Sequence, residues 1–468
     1  MNRSLTTLLL ILMSPAIWAQ TEGTLTLMNS LPQVVYTNPA AVPRYRFSLG
    51  LPGSSLLFSY TNNGFSYSDM VKTQNGVVTA DLNKFNNALK PRNYITMAAQ
   101  ADLFRFSLKV SPRFYLTVNA TAKAYNRLMI PKDLMSIFIN GNVQFIGSSA
   151  VISPRIESTT MLETGFGGAY TVNKNLRVGA RIKILKGVSN ITTQSANLNI
   201  AVAPDNYAVT ATADLDVRSS GIYNFSQSNF DFGNSYKDYL SNNGYAFDLG
   251  ATYRLFDRLN LGASLLDIGS IKWSNNTYGY TLSKSDASYT FPGVDLNQIL
   301  NGNSAYLDHE GDTLQKRFKP KEGVIPSYRT TLPGKMYLTA QYELRRNFIV
   351  GAAGYAERYQ GRLSAGLTLG VNKNFGRRLT LSGSYTISNN SYNNLGAGMS
   401  INAPPFQFYL LGDNLLNAAL SANHINQYLN NLQTFNLRMG LNFVFGWDRP
   451  ETKQNGSVNS PDYGRKNQ

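Results

Sequence analysis

Between Thr434 and Trp447 the sequence reads TFNLRMGLNFVFGW, and Phe435, Leu437, Met439, Leu441, Phe443, Phe445 and Trp447 occupy every odd position. Successive side chains of an extended chain point to opposite faces, so one face is wholly apolar while Thr434, Asn436, Arg438, Gly440 and Asn442 share the other. A half-buried strand of a soluble sheet needs only ~5–6 residues of such alternation. One that crosses a bilayer at a tilt needs roughly 9–11. This run is long enough to span.

The same period of two recurs along the chain. Phe114, Leu116, Val118, Ala120 and Ala122 alternate with polar neighbours, as do Leu176, Val178, Ala180, Ile182 and Ile184. Met336 to Tyr342, Leu363 to Val371 and Leu379 to Ile387 repeat it in the C-terminal third. After the first 19 residues no run of ~18 apolar residues occurs, which excludes helical spans. Lipid offers no partner to free backbone groups, so a closed barrel is the remaining way to span. Charged residues make up 15% of the chain, below the usual roughly 25%, as a barrel with a lipid-facing exterior requires.

Short connections carry turn chemistry at Ser111-Pro112, Asn173 to Asn175, Asp257-Arg258, Arg345 to Asn347, Asn372 to Gly376 and Ala403 to Pro405. Long ones run through 61–93, 128–156, 220–244, 269–334 and 413–433. Short periplasmic turns and long outer loops are the rule of outer-membrane barrels. The expected fold is therefore all-β: a transmembrane antiparallel barrel of about 14–16 strands with long extracellular loops. Segment 206–219 is counted among the strands. Parity places an error here, because the turns at 173–175 and 256–258 cannot both be periplasmic with an odd step between them: either a strand is missed between 219 and 244, or one of the two before it is wrong. Short helices are expected at Thr79 to Leu89 and Asn414 to Leu420, and Trp273 and Trp447 are expected at the membrane interfaces.

Residues 1–19 read as a signal peptide, with Arg3 before an apolar run from Leu8 to Met13 and cleavage after Ala19. Ile17 leaves the exact cut open, and a short membrane anchor is the alternative. The barrel is expected over 46–447, and 448–468 as a disordered, polar periplasmic tail. A net charge of +16 in a cytoplasmic protein would point to nucleic acid. Export argues against that partner. With no Cys there is no disulfide framework.

The usual nucleotide, acyl-transfer and zinc-protease motifs are missing. His309 and His424 stand in expected loops without a nucleophile signature, so no catalytic residue and no cofactor are expected. Asp308, Glu310 and Asp312 could gather ligands for a hard cation but lack the full calcium-loop pattern. They read as a solvated acidic loop, and no metal is expected. On the polar strand faces stand Arg105, Lys109, Lys123, Arg177, Arg181, Lys183, Arg362 and Arg438. A cation on the lipid side would cost roughly 2–4 kcal/mol near the midplane, which turns these residues inward. They either line a lumen that favours anionic or amphipathic solutes, or pair with Glu163, Glu343, Asp102 and Asp248 and fill it.

The stretches VVYTNPAAVPRYRFSLGLPGSSLLFSY, GYAFDLGATYRLFDRLNLGASLLDIGSIKW and FYLLGDNLLN resemble Bacteroidota outer-membrane proteins of a large family of unknown function. That family is similar to the long-chain fatty-acid transporter and to the barrel subunit of the type IX secretion machinery. The resemblance implies that Asn38, Pro39 and Ala40 lie in an N-terminal hatch, residues 20–45, that enters the barrel as a plug. Ala41 departs from the pattern, where a Gly is often seen. Asp267, Gly269, Trp273, Asp413 and Asn414 belong to the other resembling stretches. The function expected is a barrel that contacts outer-membrane lipid and passes or binds a hydrophobic or amphipathic small molecule. The alternative is a scaffold that docks a secretion or surface protein, and a soluble secreted β-array is the third reading.

Overall fold

The structure, a computed structural model, describes residues 22–74, 77–222, 240–291, 305–359, 362–388, 391–413 and 434–447. Segments 1–19 and 448–468, the helix expected at Asn414 to Leu420, and His424 lie outside them. Alternation of apolar and polar residues produces fourteen wall strands that close into one antiparallel barrel. In chain order these are β1 (Tyr45–Gly50 and Leu56–Asn62), β2 (Arg92–Lys109), β3 (Phe114–Pro131), β4 (Arg155–Thr171) and β5 (Leu176–Val202). They continue with β6 (Asn242–Phe256), β7 (Leu259–Trp273), β8 (Gly334–Arg345), β9 (Phe348–Tyr359) and β10 (Arg362–Phe375). The last four are β11 (Leu379–Ser388), β12 (Ser391–Ala403), β13 (Phe406–Asp413) and β14 (Thr434–Trp447). Each strand pairs with its neighbour in sequence, and β14 closes on β1 with Tyr45 opposite Trp447 and Tyr60 opposite Phe435.

The outward positions carry the apolar face. Leu249, Leu338, Leu369 and Leu441 stand exposed on the outer wall, while Asp248, Tyr337, Thr368 and Asn442 beside them are buried inside. Closure leaves the wall no unpaired edge, as a bilayer demands. β1 is broken at Leu51 to Ser55, where Gly53 takes φ +81° and donates its NH to Asp102 O. A register shift in β2 between Asp102 and Phe104 faces this break, and both halves of β1 pair with the same two neighbours.

The expected strand at 206–219 is the error that parity flagged. β5 runs for 27 residues, and only its first part pairs with β6 in the wall, up to Gly187 opposite Asn242. Its remainder, Asn190 to Val202, pairs with Val209–Ser220 above the barrel. Strands Thr277–Leu282, Ser288–Phe291 and Lys321–Val324 extend this outer sheet, and Tyr328–Thr331 pairs with the outer end of β7; together they form a cap at the outer end of the barrel. Trp273 belongs to that cap and not to a membrane interface. It is fully buried against Leu185, Ile271, Tyr328 and Leu332, with its indole NH donated to Thr330 at 2.8 Å. The acidic stretch is no loop: it lies in the helix Ala305–Phe318. Among the described residues no cluster could hold a metal ion. The helix expected at Thr79 to Leu89 is Leu82–Ala88, capped by Asp81, whose carboxylate accepts the Lys84 NH.

Candidate functional site

Residues 22–44 run inside the barrel. The segment is too short to satisfy its own backbone: α1 (Gly23–Leu27) is a single turn and Pro32–Tyr36 a 3-10 turn. Such ends leave carbonyls without partners, and the wall supplies amides for them. Gln341 donates to Thr26 O at 3.0 Å, Asn372 to Leu27 O at 3.0 Å and Gln407 to Ser30 O at 3.2 Å. Ser264 donates to Thr37 O at 2.6 Å, and Gln33 donates to Asn442 at 2.9 Å. Leu25, Met28 and Leu31 pack on Tyr409 and Leu411 of β13.

The three residues Asn38, Pro39 and Ala40 form the seat of this segment on β5, β6 and β7. The Asn38 side-chain oxygen accepts the Ala40 NH at 2.8 Å, and its amide donates to Ala251 O at 3.1 Å. The wall is cut back to receive them. A Cβ at Gly250 would overlap Asn38 and Pro39, and one at Gly179 would overlap the Pro39–Ala40 backbone. Gly370 and Gly398 make the same room for Leu27 and Met28. Ala41, in place of Gly, donates its NH to Asn38 O at 2.9 Å and completes the turn without strain.

Above the segment lies a belt of charge. Glu163 faces Lys123 at 2.6 Å, Arg181 at 3.1 Å and Lys183 at 3.8 Å. Asp248 holds Lys183 at 2.7 Å and Arg181 at 3.5 Å, and Asp267 holds Lys183 at 2.5 Å and Lys335 at 3.7 Å. Arg438 pairs with Glu22, and the Tyr36 ring sits between Arg181 at 5.4 Å and Arg438 at 5.6 Å while its hydroxyl donates to Asp102 at 2.8 Å. The space left among these groups is a cavity of about 50 Å³. A cavity of that size holds a few waters, far from the ~300 Å³ of a typical ligand site.

The expected basic residues thus divide into groups. Lys123, Arg181 and Lys183 gather on Glu163, Arg438 meets Glu22, and Arg105 reaches Asp102 at 3.8 Å and donates to Asn442 at 2.5 Å. Lys109 and Arg177 stand apart at the inner mouth, around a pocket of about 430 Å³ shared with Arg44, Arg113 and Arg254. The side chain of Arg362 lies outside the described ones. Of the four expected acidic partners, Glu343 takes no part in the belt; it accepts the Asn347 NH near a turn. Glu22 and Tyr36 were not singled out from sequence, although Glu22 is the sole charge between residues 22 and 43.

Outward of the belt the lumen is crossed by tyrosines. The rings of Tyr125 on β3 and Tyr359 on β9 meet edge to face at 5.3 Å, and Arg127 lies 5.7 Å and 5.3 Å from them. Tyr337 and Tyr355, opposite each other on the adjacent strands β8 and β9, pack side by side at 4.9 Å, and the Tyr355 hydroxyl donates to Glu357 at 2.8 Å.

Among solved structures, a Pseudomonas aeruginosa FadL homologue is similar at 12% identity and TM-score 0.46, covering 92% of this chain and 100% of that one. The Ralstonia pickettii toluene transporter TbuX is similar at 10% identity and TM-score 0.43, covering 89% of this chain and 94% of that one. No curated protein matches the sequence. The profile of a family of unknown function, DUF5723, matches residues 39–413, from Pro39 in the segment inside the barrel to Asp413 at the end of β13. The chain belongs to that family.

Proposed function

We propose that the protein is a gated channel of the outer membrane, in which residues 22–44 are a hatch that moves to pass a hydrophobic or amphipathic small molecule. The observation that carries this reading is how the hatch is held. Its contacts are scattered hydrogen bonds, some of them paired as between Gln33 and Asn442, together with the Glu22–Arg438 ion pair, the Tyr36 ring against two arginines and apolar surfaces seated on glycines, each of which can be made and broken without unfolding the wall. The tyrosines outward and the charges inward suit a molecule with an apolar body and a polar head. In this reading residues 1–19 direct export, and 448–468 extend into the periplasm.

The chain has no cysteine, so two introduced ones have only each other. Thr24 and Ser384 place their hydroxyls 2.7 Å apart across the hatch and wall. In cells producing Thr24→Cys/Ser384→Cys, oxidation is expected to reduce uptake of the dye N-phenyl-1-naphthylamine to the level without the protein, and reduction to restore it. Uptake that ignores the lock rejects the hatch.

A second reading is favoured by the cap. The five short strands built on the outer ends of β5 and β7 offer a docking surface for a secretion or surface protein. A protein that remains bound through purification, with uptake absent, would favour it.

A further inference from the structure

We infer that Tyr125, Arg127, Glu357 and Tyr359 form a second, outer gate, in series with the hatch and independent of it. This deepens the channel reading, since it names the residues that decide which molecules are admitted from outside.

β3 and β9 stand six places apart in a ring of fourteen, on nearly opposite walls. Side chains from such strands meet only if they cross the lumen. Tyr125 and Tyr359 do so, and Arg127 reaches over to Glu357 at 4.0 Å. Arg127, Glu357 and Tyr359 are 7%, 5% and 5% exposed and Tyr125 is half-buried, so the crossing is narrow, with a pocket of about 100 Å³ beside Arg127 and Glu157. The ring, cation–ring and ion-pair contacts that define it all run between wall strands. The charged belt and its small cavity lie between the two barriers: Lys123 is two residues inward of Tyr125 on β3, and Lys335 lies opposite Glu357 in the register of β8 with β9.

The crossing is built to open. The Arg127 Nε has no acceptor, Glu357 sits at the limit of ion-pair range, and Glu157 stands opposite Arg127 in the register of β3 with β4. Beside these carboxylates the guanidinium lies against two ring faces, and such contacts tolerate exchange of one π face for another. A flat apolar body can replace a tyrosine ring against the guanidinium, whereas a hydrated ion offers nothing in return for the lost contacts. The outer gate therefore admits flat or unsaturated amphipathic molecules and excludes salts, whatever the position of the hatch.

Gln100 lines the cavity behind the gate, and its amide nitrogen is buried without a partner, so a cysteine there is a mild change. In intact cells, Gln100→Cys in the full chain, which enlarges the small cavity by most of a glutamine side chain, is treated from outside with a small charged, membrane-impermeant methanethiosulfonate. Labelling is expected to be slow. It should accelerate at least about tenfold when Arg127→Ala and Tyr359→Ala are added, and stay slow with Tyr359→Phe, which keeps the ring. Heat-modifiable migration on gels confirms that each variant is a folded barrel, and a misfolded double variant is replaced by Tyr359→Ala alone. Rapid labelling of Gln100→Cys in the otherwise unchanged chain, or no acceleration in folded gate variants, overturns the proposal. The readout is access and not transport, so a protein that fails the uptake test can still pass this one.

Discussion

Gly250 shows how one side chain, or its lack, sets the position of the hatch. The Asn38 side chain fills the space a Cβ would take, and through it the amide reaches the wall carbonyl of Ala251. Overpacking a tight contact typically costs about 1–3 kcal/mol, and here the hatch is the partner able to yield. Gly250→Val is expected to loosen residues 22–44 while the barrel stays closed. Limited proteolysis from the periplasmic side checks this: the variant should lose its N-terminal segment faster than the parent, with unchanged heat-modifiable migration. Asn38 and Pro39 could be singled out from sequence because a short motif carries them. Their glycine seats could not, since Gly179, Gly250 and Gly262 lie on three separate strands and meet only through register.

At the level of elements, the two-residue period of TFNLRMGLNFVFGW foretells both the strand and its lipid face, because burial on one side alone enforces it. The same rule misleads at 206–219. That segment also alternates and also pairs antiparallel with β5, but with the outer half of a strand too long for the wall. Alternation reports a face and not which sheet shares it. Trp273 was misplaced for a related reason. An indole near the end of a barrel strand looks like an interface anchor, whereas here β7 carries it into the cap, where Gly187 makes room for the ring. Removing a buried tryptophan costs about 3–5 kcal/mol. Trp273→Ala should therefore loosen the cap and leave the wall intact, read as new cleavage within 275–333 by external protease on cells with the folded-barrel band retained.

For the molecule as a whole, the decisive quantity is how charge is distributed between lumen and surface. The net charge of +16 says nothing of this, because the cations of the belt are met by Glu163, Asp248 and Asp267 from other strands. A lumen so balanced is stable only while every partner is present. Breaking a buried pair by removing one member strands the other, at about 3–5 kcal/mol, while replacing both with apolar groups is often close to neutral. Glu163 meets three cations, so Glu163→Gln leaves Lys123, Arg181 and Lys183 to share Asp248 and Asp267. Its urea unfolding midpoint is expected to fall by an amount matching that loss, and Glu163→Gln/Lys123→Met should recover much of it. Asp286→Asn, which removes an exposed partner of Lys321 on the cap, should leave the midpoint where it was. Equal shifts for Glu163→Gln and Asp286→Asn would mean that bulk water reaches the belt freely, and the picture of a small space sealed between two barriers would fail with it.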